Sequence, residues 1–146
     1  MIRHRVFVYG TLKHGFPNHH LSRGHALPGR WQTRLRYPLY LVGERASPWL
    51  IDAAGDGERV LGEVHELDDA ALQALDRLER THEPDGYRRQ RIRVADSESQ
   101  QELEVWAWLK PADALDSLPR DTPVQGPFAE YELSLAAYYR PRHRSA

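Results

Sequence analysis

Apolar positions in this chain fall into short runs that suit β-strands: Arg5 to Tyr9, Leu35 to Val42, Val60 to Leu67, Tyr87 to Ala95 and Leu103 to Leu109. In Glu104-Val105-Trp106-Ala107-Trp108-Leu109 the two tryptophans share one face, and Val105, Ala107 and Leu109 share the other. That strand is expected to be covered on both sides. Arg89 to Val94 ends in alternating long polar and apolar residues, the pattern of a strand with one wet face, and Asp96 to Glu102 forms a polar hairpin loop after it. Tyr37-Pro38 interrupts or edges a strand, and Ala53-Ala54-Gly55-Asp56-Gly57 makes a flexible tip. Ser47 to Ile51, between these two turn regions, is stiffer and aromatic.

The periodicity changes over Asp68 to Arg80. Ala71, Leu72, Leu75 and Leu78 form one apolar stripe at helical spacing, whereas Gln73, Arg77 and Arg80 point away from it. Asp68 or Asp69 supplies the N-cap and a favourable charge for the helix dipole. Glu79 falls inside the apolar arc, i+4 from Leu75 and i+7 from Leu72, so a carboxylate is carried to the core-facing side of the helix end. The C-terminal third is broken by Pro111, Pro119, Pro123 and Pro127, and a last short helix is expected over Glu130 to Tyr139, closing over the sheet. The pattern predicts an α+β fold, a small mixed β-sheet or barrel of five to six strands flanked by a few short helices.

Composition narrows this further. With 146 residues, 40% of them hydrophobic, residues 1–146 suffice for one domain with one core. The absence of cysteine excludes disulfides, thiolate metal sites and a cysteine nucleophile. No apolar run is long enough for a bilayer, and Met1 to Arg5 leads straight into a strand, so no membrane association and a cytoplasmic location are expected. Only Lys13 and Lys110 are lysines among the 20 basic residues, and the arginines are interleaved with acids, as in Glu44-Arg45, Asp76-Arg77 and Glu79-Arg80. No single-sign stripe for nucleic acid results. Arg140-Pro141-Arg142-His143-Arg144 is read as a solvated, mobile tail of about residues 140–146.

Two features carry candidate chemistry. In Val6-Phe7-Val8-Tyr9-Gly10-Thr11-Leu12-Lys13 a buried-type strand meets a glycine and then a polar loop. Gly10 allows a conformation or close approach that a Cβ forbids, and Thr11 caps the turn, leaving backbone amides available for a carboxylate or developing oxyanion. An ordinary strand and turn is the plainer reading. Glu79 likewise has two readings. A buried carboxylate costs several kcal/mol unless paired or protonated. It either pairs with Arg88 or Arg89, or frays into water, or acts as a general base whose pKa is raised by desolvation. His14, His19, His20 and His25 cluster in sequence, but their spacing fits no standard zinc pattern, so no metal is expected; Asn18 is expected to cap a short helix begun by His19-His20-Leu21.

Taken together, Val6 to Lys13, Pro17-Asn18-His19-His20, Tyr37-Pro38-Leu39, Gly43-Glu44, Pro48-Trp49-Leu50, Gly62-Glu63-Val64, and Leu75-Asp76 through Glu79 to Tyr87-Arg88-Arg89 form an ordered set. It resembles the gamma-glutamylcyclotransferase superfamily (AIG2-like), in its gamma-glutamylamine cyclotransferase branch, over roughly residues 5–110. The resemblance implies that fold and a lyase activity without cofactor. The α-amine of a small-molecule gamma-glutamyl substrate, such as gamma-glutamyl-ε-lysine, attacks its own γ-carbonyl and releases 5-oxoproline and an amine. It implies Glu79 as general acid/base, with the amides of Gly10, Thr11 and Leu12 as donors. Tyr9 lies under the substrate or donates its hydroxyl, Tyr87 hydrogen-bonds Glu79, and Trp49 caps the pocket; each aromatic is equally compatible with a plain packing role. The loop from Arg80 to Gly86 is longer than the family's equivalent and borders the pocket. A monomer or weak homodimer is expected. The alternatives are the same reaction on gamma-glutamyl amino acids, a non-catalytic metabolite-binding module, and an interaction domain using the tyrosine-rich C-terminal segment.

Overall fold

The computed structural model describes residues 3–18 and 24–140. Five strands close into a barrel. β1 (His4–Val8) lies antiparallel to β6 (Leu61–Leu67), with Phe7 opposite Val64, and parallel to β8 (Glu102–Leu109), with Val6 opposite Trp106. From β8 the ring continues antiparallel through β7 (Arg88–Asp96) and β3 (Trp31–Thr33) back to β6. The short β2 (His25–Ala26) shares an edge of β6 with β3. A separate sheet orders β5 (Ser47–Leu50), β4 (Leu39–Val42) and β9 (Val124–Gln125). It joins the barrel at the bridge between Ile51 and Lys110.

Alternation along β1 explains how the barrel and its helix are both packed. Phe7 and Tyr9 face the barrel interior with Val64, Val94, Val105, Ala107 and Leu109. Val6 and Val8 face outward, where α1 (Asp69–Leu78) covers them with Ala71, Leu72 and Leu75, alongside Trp108. β8 therefore has apolar cover on both sides, as its two tryptophans and alternate aliphatics predict. At about 25 cal/mol per Å² of apolar surface, each such fully buried Leu or Val side chain contributes roughly 1.5–3 kcal/mol. Asp68 caps α1, its Oδ1 accepting from the Ala71 amide at 2.8 Å. Among the described residues no helix is long and apolar enough to cross a membrane.

Three expectations are corrected. The strand expected from Leu35 starts only at Leu39, because Pro38 breaks the run and Leu35 is exposed. The aromatic stretch after Ala46 is itself a strand, β5, tolerating Pro48 because it lies on the sheet's edge. The C-terminal helix shrinks to the single turn α2 (Leu133–Ala136), whose N-cap Glu132 makes no side-chain cap bond; Tyr138 and Tyr139 follow in i to i−3 turns. Tyr131, fully buried in the barrel core, anchors this segment. The helix expected after Asn18, and all of the basic tail beyond Arg140, lie outside the described residues.

Candidate active site

The loop after β1, the C-terminal end of α1, the start of β7 and the end of β8 converge on one cavity of 610 Å³. Tyr9, Gly10, Thr11, Leu12, Glu79 and Tyr87 all line it. Trp49 does not. It sits in β5 opposite Tyr40, and the Lys110 ammonium covers its ring at 4.3 Å, so it backs a lining residue instead of capping the pocket.

Gly10 is needed for close packing: a Cβ there would lie 2.8 Å from Cγ of Pro48. Pro48 thereby presses against the turn, whose carbonyls are consumed internally. Lys13 N–H donates to the Gly10 carbonyl at 3.1 Å, and Asn18 N–H to that of Thr11 at 2.8 Å. Among the described residues no acceptor takes the amides of Gly10, Thr11 or Leu12. Unpaired amides at a cavity wall form a ready receptor for negative oxygen. Asn18 Nδ2 donates to Thr11 Oγ1 at 2.9 Å and to the Tyr139 hydroxyl at 3.1 Å, tying the turn to the C-terminal segment.

Glu79 is the C-cap of α1. Beyond it Arg80 adopts a left-handed φ of 56°, while Arg80 N–H donates to the Arg77 carbonyl and Thr81 N–H to that of Asp76, each at 3.1 Å. This Schellman closure stops the helix one residue after the apolar stripe. The Glu79 side chain is left half-buried and open to the cavity. Neither downstream arginine is spent on it: Arg89 pairs with Asp76 at 3.4 Å, and Arg88 Nη1 donates to the loop carbonyls of Glu83 and Gly86. Burial pushes the Glu79 carboxyl up to about 7; the Lys110 cation opposes the rise and the Asp76 anion adds to it.

The two tyrosines have other partners than expected. Tyr87 donates its hydroxyl to the Pro48 carbonyl at 2.8 Å, not to Glu79, and Tyr9 donates to the Trp108 carbonyl at 2.7 Å. Burial foremost, and the Glu79 charge among the further causes, raises both phenols well above their ordinary range, so both stay protonated. Each phenol thus ties its own residue to a backbone carbonyl of the cavity wall, Trp108 for Tyr9 and Pro48 for Tyr87.

Sequence reasoning missed Lys110. It is buried, donates to the Asp85 carbonyl at 2.6 Å, and stacks over Trp49 and, at 4.4 Å, Tyr87. The available signal was scarcity, since the chain's two lysines, Lys13 and Lys110, are both buried while arginine serves the surface. Lys13 donates to the Tyr131 carbonyl at 2.6 Å, and burial lowers its pKa. Among the described residues no group of three or more His, Asp or Glu side chains is arranged to hold a metal ion. His19 and His20 lie outside them.

Comparison with known proteins bears on this arrangement. The family described as gamma-glutamyl cyclotransferase, AIG2-like, matches residues 6–128. A Bos taurus protein named gamma-glutamylaminecyclotransferase is 47% identical over 95 residues, covering 62% of this chain and 55% of that one. The Homo sapiens protein of the same name is 43% identical over 94 residues, 61% of this chain and 60% of that one. The aligned part thus spans less than two thirds of either relative. The crystal structure of a Mus musculus AIG2-like protein superposes with a TM-score of 0.79 at 29% identity, covering 100% of this chain and 99% of that one. With the closed barrel, the glycine turn after β1 and the family match running through both the turn and Glu79, the chain belongs to the gamma-glutamyl cyclotransferase, AIG2-like family.

Proposed function

We propose that this protein is a gamma-glutamylamine cyclotransferase, converting a gamma-glutamyl amine to 5-oxoproline and the free amine, with Glu79 as general acid/base. The observation that carries this reading is the sharing of one cavity by a carboxyl poised at about 7 and a turn whose amides lack acceptors among the described residues. The names of the bovine and human relatives support the choice of substrate class.

The reaction needs both features. An amide carbonyl is a weak electrophile and its amine a poor leaving group, so negative oxygen and both nitrogens require help. The substrate's α-nitrogen attacks its own γ-carbonyl and closes a five-membered ring, an approach already favoured by proximity. As that C–N bond forms, Glu79 takes a proton from the attacking nitrogen. As the original amide C–N bond breaks, it returns the proton to the departing nitrogen. A pKa near 7 leaves the group able to do both. The amides of Gly10, Thr11 and Leu12 receive the carbonyl oxygen while it is negative, a role in which one donor is worth on the order of 3 kcal/mol. Tyr9 and Tyr87 position, through Trp108 and Pro48, the walls that carry these groups.

The test is 5-oxoproline release from gamma-glutamyl-ε-lysine, gamma-glutamyl-alanine and glutathione by the wild type and by Glu79→Gln. Turnover of the lysine compound that falls at least a hundredfold in the variant is expected. Release from gamma-glutamyl-alanine alone would move the substrate class to gamma-glutamyl amino acids. No release from any of them would remove the catalytic reading.

A further inference from the structure

The cavity wall also holds a guanidinium that the proposed chemistry leaves unused. Arg45 lines the cavity and is held on three sides: its Nε donates to the Arg140 carbonyl at 3.2 Å, its Nη2 to Ser47 Oγ at 3.2 Å, and its own carbonyl accepts from the Arg140 amide at 2.8 Å. The segment that grips it is built in. It leaves the barrel core at the fully buried Tyr131 and lays Tyr139 against the same cavity, where Asn18 bonds the phenol. The family match ends at residue 128, before this segment begins.

Among the described residues Arg45 forms no ion pair, and its Nη1 has no protein partner. The cavity's other cations are committed or loose. Arg80 pairs with Asp85 at 3.0 Å, Lys110 lies beside Glu79 and is tied to the Asp85 carbonyl, and Arg77 is exposed on the helix surface. A partly desolvated guanidinium with a fixed orientation and an unspent donor edge is a receptor for a planar anion. Gamma-glutamyl amines bring such an anion, since the glutamyl part always carries an α-carboxylate and the departing amine often carries another.

We propose that Arg45, clamped by the C-terminal segment from Tyr131 to Arg140, binds a carboxylate of the substrate and so selects which gamma-glutamyl compounds enter the site. The identity of that substrate rests on the cyclotransferase reading; binding of the carboxylate is separable from turnover. The test is therefore calorimetry in the Glu79→Gln background, with and without Arg45→Gln and Arg45→Lys. The ligands are gamma-glutamyl-ε-lysine and gamma-glutamyl-cadaverine, which differ only in the leaving group's carboxylate. Arg45→Gln is expected to weaken binding by about tenfold or more, with Arg45→Lys recovering part of it and melting temperatures within a few degrees. An equal loss for both ligands assigns Arg45 to the glutamyl carboxylate, and a loss for the lysine compound alone assigns it to the leaving group. Affinities unchanged within twofold for both ligands, or no binding of either to the Glu79→Gln parent, would overturn the proposal. Catalysis is judged separately, by 5-oxoproline release from the wild type.

Discussion

The backbone amide of Tyr87 donates to the carbonyl of Glu79 at 3.0 Å, so residues 80–86 leave and return at the site itself. The loop is cinched further by Glu83 N–H to the Arg80 carbonyl at 2.9 Å and Gly86 N–H to the Glu83 carbonyl at 3.1 Å. The cavity-lining Glu79 is thereby held by a closed ring of backbone and not by a frayed helix end.

That ring depends on a residue without a side chain at position 86. A Cβ on Gly86 would lie 1.8 Å from the Arg80 carbonyl oxygen. Gly86→Ala is expected to cost about 1–3 kcal/mol, lowering the melting temperature by several degrees, and to reduce turnover by displacing Glu79. Thermal melts and 5-oxoproline release check both halves. An unchanged melt would mean that the loop relaxes freely.

Glu79 also links stability to pH. Its folded pKa of about 7 stands above the ordinary carboxyl value of 4.5 that approximates the unfolded chain, so the fold binds its proton more tightly than the unfolded state does. The corresponding stability is complete below about 4.5, declines as pH rises toward 7, and is lost above it; the span is on the order of 3 kcal/mol. Glu79→Gln is expected to be as stable as the wild type at pH 5 and more stable at pH 8. Denaturant titrations at the two pH values check the sign, and the same substitution should abolish activity.

Much of this arrangement is legible in the sequence, for identifiable reasons. β1, β6, β7, β8 and α1 have strong periodicities, because each buries a stripe or alternate faces. Glu79 stands out as the one carboxylate inside the apolar arc of α1. What the sequence hides is set by distant contacts. β3 and β5 are too short to establish a period, and Pro48 looks like a breaker until its place on a sheet edge is known. The Tyr87 hydroxyl chooses Pro48 over Glu79 through a packing of β5 on the Gly10 turn that no local pattern encodes. Lys110 gains its role only when the bridge between Ile51 and Lys110 joins the small sheet to the barrel.

The tyrosines should behave as braces. Tyr9→Phe and Tyr87→Phe each leave a carbonyl, of Trp108 or Pro48, without its donor, at an expected cost of about 1–2 kcal/mol. Activity should fall by less than tenfold in either variant, with the pH profile in place. A loss comparable to that of Glu79→Gln would instead make the phenol concerned a participant in proton transfer.

Two charges flank Glu79 with opposite effect, which gives a paired test of its role as the titrating group. Lys110 favours the carboxylate and Asp76 opposes it. If the ionised carboxylate is the base, kcat/KM rises with pH through about 7. Lys110→Met removes the cation and should move that rise to higher pH. Asp76→Asn removes an anion while keeping an amide oxygen to accept from Trp108 Nε1, now at 2.9 Å, and should move it to lower pH. Lys110→Met also releases the Asp85 carbonyl, so some activity is lost at every pH; the displacement of the profile is what reports on Glu79. Opposite displacements in the two variants follow only if one group, electrostatically between Lys110 and Asp76, controls the rate. Profiles that stay in place, or move together, would assign the titration to the substrate's own amine, and Glu79 would lose its role as base.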